Sequence, residues 1–290
     1  MLAGAPLSYW IGFHAIVLLL VGVDLTLGWG GTGPRVRTAL LWTTFLVILA
    51  LGFAGFILHT QGEERALQFV SGYVLEASLS IDNLFVFLVL FDTFGLSAAQ
   101  QHRALLFGVA GAIILRALFI VAGVALLTRF EWVQSLFGLL LLYAAWRLVR
   151  EKKSRAAPSN ISHWLERRGL QLSPLLLAII TIELTDLVFA IDSVPAVLGI
   201  THDTFLVYTS NIFAILGLRS MYFVLRGLLH RLHLLHYGLA LVLAFVGAKM
   251  LVARWFTVPT LWSLVIILGI VAVFAAASLL TEARPQRQSA

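Results

Sequence analysis

Two short stretches of an otherwise apolar chain hold the side chains that could do chemistry. They are Glu76-Ala-Ser-Leu-Ser-Ile-Asp82-Asn83 and Asp186-Leu-Val-Phe-Ala-Ile-Asp192-Ser193, with Glu183 just ahead of the second. A carboxylate at the centre of a lipid bilayer costs about 3 kcal/mol on insertion scales, so acids kept there point to function. The chemistry they suggest is cation binding. Carboxylates, the Asn83 amide, the Ser193 hydroxyl and freed backbone carbonyls make an all-oxygen ligand set. The chain has no cysteine, only three methionines, and no histidine in either motif. Hard divalent ions such as Mn²⁺, Mg²⁺ or Ca²⁺ suit that set, while Cu(I) and Zn²⁺ suit it poorly. Spacing leaves the choice among the hard ions open. The metal candidates are Glu76, Asp82, Asn83, Glu183, Asp186, Asp192 and Ser193, and no tightly bound cofactor is expected.

Charge balance sharpens this reading. Five acids (Glu76, Asp82, Glu183, Asp186 and Asp192) face two intramembrane arginines, Arg116 and Arg219, as counter-ions or gating groups. The five cannot all be ionised at low cost when no cation is present, because like charges and desolvation oppose it. Some should hold protons until a cation displaces them, which is the exchange a proton/cation antiporter performs. The competing expectation is that acids and arginines form structural ion pairs within a helix bundle. The chain shows no Gly-rich phosphate loop, no nucleophile elbow and no HExxH, so an enzyme is not expected.

These residues need helices to place them. On a helix Glu76 and Asn83 share a face, as do Asp186 and Ser193, while Asp82 and Asp192 lie about 100° around. A local break would gather them, and Pro195 gives a reason for one in the second copy by releasing the carbonyl of Ile191. Asp24, in the first apolar stretch, is expected to be a packing or mouth residue. Asp92 and Asp203, at stretch ends, should be solvated, and His202 could line an exit. His230, His233 and His236 read as an interfacial run. Trp10, Trp29, Trp132 and Trp255 read as anchors at the membrane interface.

Composition sets the class. The chain is 60% hydrophobic and 12% charged, with mean hydropathy +0.97. An all-α, polytopic membrane protein is expected, with about nine transmembrane helices near 9–27, 38–59, 66–91, 103–127, 131–149, 173–199, 204–227, 236–253 and 259–280. The pI near 10.1 would suggest nucleic acid in a soluble protein. Here the basic residues mark cytoplasmic loops that meet anionic lipid, and no nucleic-acid partner is expected. Arg35, Arg37, Arg103, the cluster from Arg150 to Arg168, Arg226, Arg231, Arg284 and Arg287 fall on one side. The positive-inside rule then puts the N-terminus outside and the C-terminus in the cytoplasm. The first 34 residues hold no Lys or Arg and read as a true first helix rather than a signal peptide.

The whole chain, 1–290, reads as one transmembrane domain. Residues 1–65 form two N-terminal helices, 66–150 a first repeat, 151–172 a basic cytoplasmic linker, 173–253 a second repeat, and 254–290 the last helix and tail. Ser173-Pro174 supplies an N-cap and a first-turn proline for the restart. The two motifs align without gaps, each followed one span later by an arginine (Arg116, Arg219) and then by a cation closing the third span (Arg147, Lys249). Three spans per copy, an odd number, make the copies run in opposite directions: an inverted-topology repeat, the architecture of alternating-access transporters.

The long second motif, Ile182-Glu183-Leu-Thr-Asp186-Leu-Val-Phe189-Ala-Ile-Asp192-Ser193-Val-Pro195-Ala, together with the first, resembles the TerC/Alx family of integral membrane proteins. The resemblance runs from about residue 66 to 253 and includes the paired arginines. It implies a member of the LysE-type transporter superfamily, named for tellurium resistance and associated with Mn²⁺ export across the inner (cytoplasmic) membrane. By this resemblance Glu76, Asp82, Asn83, Glu183, Asp186 and Asp192 are the family's intramembrane acidic and polar positions. The expected partners are the lipid bilayer, a divalent cation substrate and protons. The rival expectation is an assembly factor that aids insertion or metalation of other proteins.

Overall fold

The computed structural model describes residues 5–26, 36–130, 132–150, 173–225, 234–253, 255–256 and 258–282. Among them every regular element is a helix: α1 (Leu7–Thr26), α2 (Val36–Gln61), α3 (Glu63–Thr93), α4 (Ala98–Arg129), α5 (Trp132–Arg150), α6 (Pro174–Leu198), α7 (Thr204–Leu225), α8 (Leu235–Val252) and α9 (Thr260–Glu282). Six of them, α1, α2, α4, α5, α8 and α9, are long and apolar enough to cross a membrane. Buried polar side chains concentrate instead on α3, α6 and α7. The linker 151–172, with His230 and His233, lies outside the described residues.

Local chemistry fixes several helix ends. Ser173 accepts a hydrogen bond from Leu176 N (3.3 Å) and Pro174 opens α6, as the sequence indicates. Ser97 and Gln100 close a capping box on α4. Gly62 (φ 96°) makes the one-residue corner between α2 and α3, a backbone conformation that disfavours any side chain. Asp203 is not simply solvated: its Oδ1 caps α7 by accepting from Phe205 N (3.0 Å) and Leu206 N (3.3 Å), and its Oδ2 pairs with Arg65 (3.0 Å). The expected break at Pro195 is absent, and α6 runs through it to Leu198. The proline lacks only its own donor to the Ile191 carbonyl, and the turn after it still closes, with the Gly199 N–H bonding Pro195 O (2.9 Å).

Packing follows a pattern between two triplets, α3–α5 and α6–α8. α3 lies chiefly against α7, α4 against α6, and α5 against α8. Gln68 meets Thr201 just before α7, Glu76 meets Asn211 and Phe91 meets Tyr222, so α3 and α7 run parallel. Gly108 lies against Ile182 and Gly123 against Leu198, so α4 and α6 are also parallel. Gln101 meets Tyr222 whereas Arg116 meets Asn211, which makes α4 and α7 antiparallel. It follows that α3 and α6, the two motif helices, run in opposite directions. α5 and α8 are antiparallel and very close: a Cβ at Gly138 would lie 2.9 Å from Gly247 O, and one at Gly247 would lie 2.8 Å from Gly138 O. Glycine at both positions lets the backbones touch, the usual device for helix association where lipid supplies no hydrophobic drive.

Candidate cation site

The two acidic motifs meet. Glu76 of α3 and Asp186 of α6 both bond Arg116 of α4, and the exposures of the three are 0%, 2% and 0%. Arg116 binds Asp186 side-on, Nη2 to Oδ1 at 3.2 Å and Nε to Oδ2 at 3.5 Å. Its Nη1 donates to Glu76 Oε1, to Asn211 Oδ1 (2.9 Å) and to Ser193 Oγ (3.4 Å). Asn211 of α7 turns its other end to Glu76, Nδ2 donating to Oε2 at 3.1 Å. Four helices thus contribute to one knot of two carboxylates, a guanidinium, an amide and a hydroxyl. Burying charge in hydrocarbon is tolerable only when it is paired and hydrogen-bonded like this.

Not every expected group joins. Glu183 is half-buried, and its carboxylate presses on the backbone of Gly111 rather than on Arg116. Asn83 is buried on the Glu76 side of α3, a turn beyond Ser80, whose hydroxyl is buried with no hydrogen-bond partner among the described residues. The side chains of Asp82 and Asp192 lie outside the described set, although both stand on described turns of α3 and α6. Among the described residues no three His, Asp or Glu groups are arranged to hold a metal. Arg219 is a counter-ion, but of Asp24: Nη1 donates to Oδ2 at 2.7 Å, and Nη2 donates to the His102 ring, 2.8 Å from Nε2. Asp24 is therefore a packing residue that ties α1 to α7 and α4. Trp10, rather than standing alone at an interface, packs on Phe205 and Tyr208.

Described residues pack closely on both flanks of the knot. Toward the end of the bundle that holds Arg65, Gly72 of α3 sits against Ser210 and Val197. Toward the Arg219 end, a cavity of about 10 Å³ lies beside Asp186, walled by Phe87, Leu105, Ala112, Ile182 and Leu218. That is space for about one water. A cavity of about 310 Å³ lies elsewhere, among Phe13, Phe53, Phe205 and Phe213 of α1, α2 and α7, and no acid lines it.

Sequence reasoning missed Asn211, Asp24's partner and His102. A signal for Asn211 existed, since an asparagine in the middle of Leu206-Val-Tyr-Thr-Ser-Asn211-Ile-Phe-Ala is expensive in a membrane unless it is bonded.

Comparison with known proteins agrees with this architecture. The model of the integral membrane protein TerC family matches residues 61–289. A relative from Salmonella typhi, named as a candidate membrane-bound redox modulator, Alx, is 38% identical over 93% of both chains. Its Escherichia coli K12 counterpart of the same name is 38% identical over 92% of both. A membrane protein of Myxococcus xanthus without an assigned role is also 38% identical, over 96% of this chain and 93% of its own. No solved structure matches.

Proposed function

The chain belongs to the TerC family of integral membrane proteins, and we propose that it exports a hard divalent cation, Mn²⁺ foremost, in exchange for protons through the knot around Arg116. The observation that carries this is the convergence of Glu76 and Asp186, one acid from each motif, on a single buried point. Acids that served only to glue helices would have no need to meet there in excess over the available cation. Opposed motif helices and the exchange-symmetric packing of the two triplets support a pair of inverted repeats with the site between them. In this reading Glu76, Asp82, Asp186 and Asp192 are ligands, and Asn83, Ser193 and Asn211 are neutral oxygen ligands. Glu183 completes the shell or carries protons. The protein sits in the inner membrane, N-terminus outside and C-terminus in the cytoplasm.

The relatives' name mentions redox modulation, but this chain has no cysteine on which thiol chemistry could run. The saturation of Arg116 favours one other reading, a structural role for the acids in an assembly factor. The test is manganese content in an export-deficient bacterium. The chain should lower it, and Asp82→Asn or Asp192→Asn should each abolish that effect. Full rescue by both variants ends the proposal.

A further inference from the structure

The described oxygens that the two motifs bring together around Arg116 are already engaged. Arg116 takes both Asp186 oxygens, Glu76 Oε1, Asn211 Oδ1 and Ser193 Oγ. The small cavity beside Asp186 holds about one water. An ion that is to use the Glu76 and Asp186 oxygens must displace the group that now holds them. The one cationic group in the knot among the described residues is the guanidinium itself. Glu183 offers it a place to go. Its carboxylate lies against Gly111, five residues before Arg116 on α4. That is about 7.5 Å along the axis and about 140° around it, so the guanidinium would have to swing around α4 to reach Glu183. α4 and α6 are parallel there, so the path from Asp186 to Glu183 follows one interface. Ser80 Oγ, buried and unpartnered among the described residues, is a further oxygen that the guanidinium leaves unused.

We propose that Arg116 is a tethered competitor of the transported cation, filling the carboxylate site in this state and swinging away toward Glu183 when the divalent ion loads. This rests on the transport reading above and adds the regulation of its site. Charge supports the exchange. Arg116 with ionised Glu76, Asp186 and Glu183 leaves two negative charges, whereas the same groups with a divalent ion on Glu76 and Asp186 leave none. A binding state occupied only a fraction of the time weakens apparent affinity by that fraction, so removing the competitor should tighten binding.

The experiment is Mn²⁺ titration of purified protein, read by thermal shift. Arg116→Gln should bind Mn²⁺ at least about tenfold more tightly than the wild type, if the guanidinium leaves its oxygens a tenth of the time or less. Arg116→Lys, a point charge without the fork, should fall between them and answers the question if the glutamine variant does not fold. Glu183→Gln, at a half-buried position, should weaken Mn²⁺ binding about tenfold in the wild-type background but little in Arg116→Gln. Unchanged or weaker binding in the Arg116 variants, or an equal effect of Glu183→Gln in both backgrounds, overturns the inference. If the wild type neither binds nor transports a divalent ion, the functional reading fails first. Binding by the wild type without tightening in the variants removes the competitor alone.

Discussion

Neutralising the two acids of the knot singly and together gives a result whose sign follows from the shared guanidinium. In Glu76→Gln, Arg116 keeps its side-on pair with Asp186 (3.2 and 3.5 Å), and the knot goes from one net negative charge to none. The loss is one charged hydrogen bond and a donor–donor conflict with Asn211 Nδ2, about 1–2 kcal/mol. In Asp186→Asn, Arg116 keeps Glu76, with a loss of similar size. The double variant strands a fully buried guanidinium with no carboxylate, which costs about 3–5 kcal/mol beyond the lost hydrogen bonds themselves. The double should therefore exceed the sum of the singles by about 2 kcal/mol or more. Arg116→Met, which leaves two acids with no cation, should be at least as harmful as the double. Unfolding of the purified protein in mixed micelles by denaturing detergent, followed by tryptophan fluorescence, measures all four. Additivity within about 0.5 kcal/mol would mean that the acids do not share one arginine, and the geometry on which the function rests would be wrong.

Other outcomes follow from the same packing. Gly247→Leu should destabilise by about 1–3 kcal/mol, because it would drive into the Gly138 carbonyl (2.8 Å at the Cβ alone), while Gly55→Leu, facing open space, should not; melting temperatures decide. Asp24→Asn should cost about 1.5–3 kcal/mol, since Arg219 is 2% exposed and its 2.7 Å contact is charge-assisted. The more exposed Arg65–Asp203 pair should yield under about 1 kcal/mol on Arg65→Ala. The cysteine-free sequence also permits a topology test. His202→Cys should react with an impermeant maleimide in intact cells, and Ser159→Cys only after permeabilisation; the reverse pattern inverts the orientation.

The motifs, Arg116 and the restart at Ser173-Pro174 were legible because each breaks an apolar pattern in a way that physics makes expensive or directional. What was hidden is partner choice. Arg116 and Arg219 each follow an acidic motif by one span, yet one enters the acid knot and the other joins Asp24 and His102. That difference depends on how far one helix slides past another, which hydropathy does not encode. The register is set in part by glycines such as Gly72, Gly108 and Gly138, whose meaning emerges only with the neighbour in place. Pro195 misled because a proline lacks only its own donor, and here the turn after it still closes. Glu183 also stands near enough to Asp186 in sequence to suggest one cluster, while its side chain goes to a different neighbour.

Reconstituted vesicles offer the most direct test of the central claim. With Mn²⁺ outside and a pH-sensitive and a metal-sensitive dye within, the wild type should admit Mn²⁺ while protons leave. Glu76→Gln and Asp186→Asn should each stop both signals together. Mn²⁺ flux that persists in both variants, or a wild type that passes none, would contradict it.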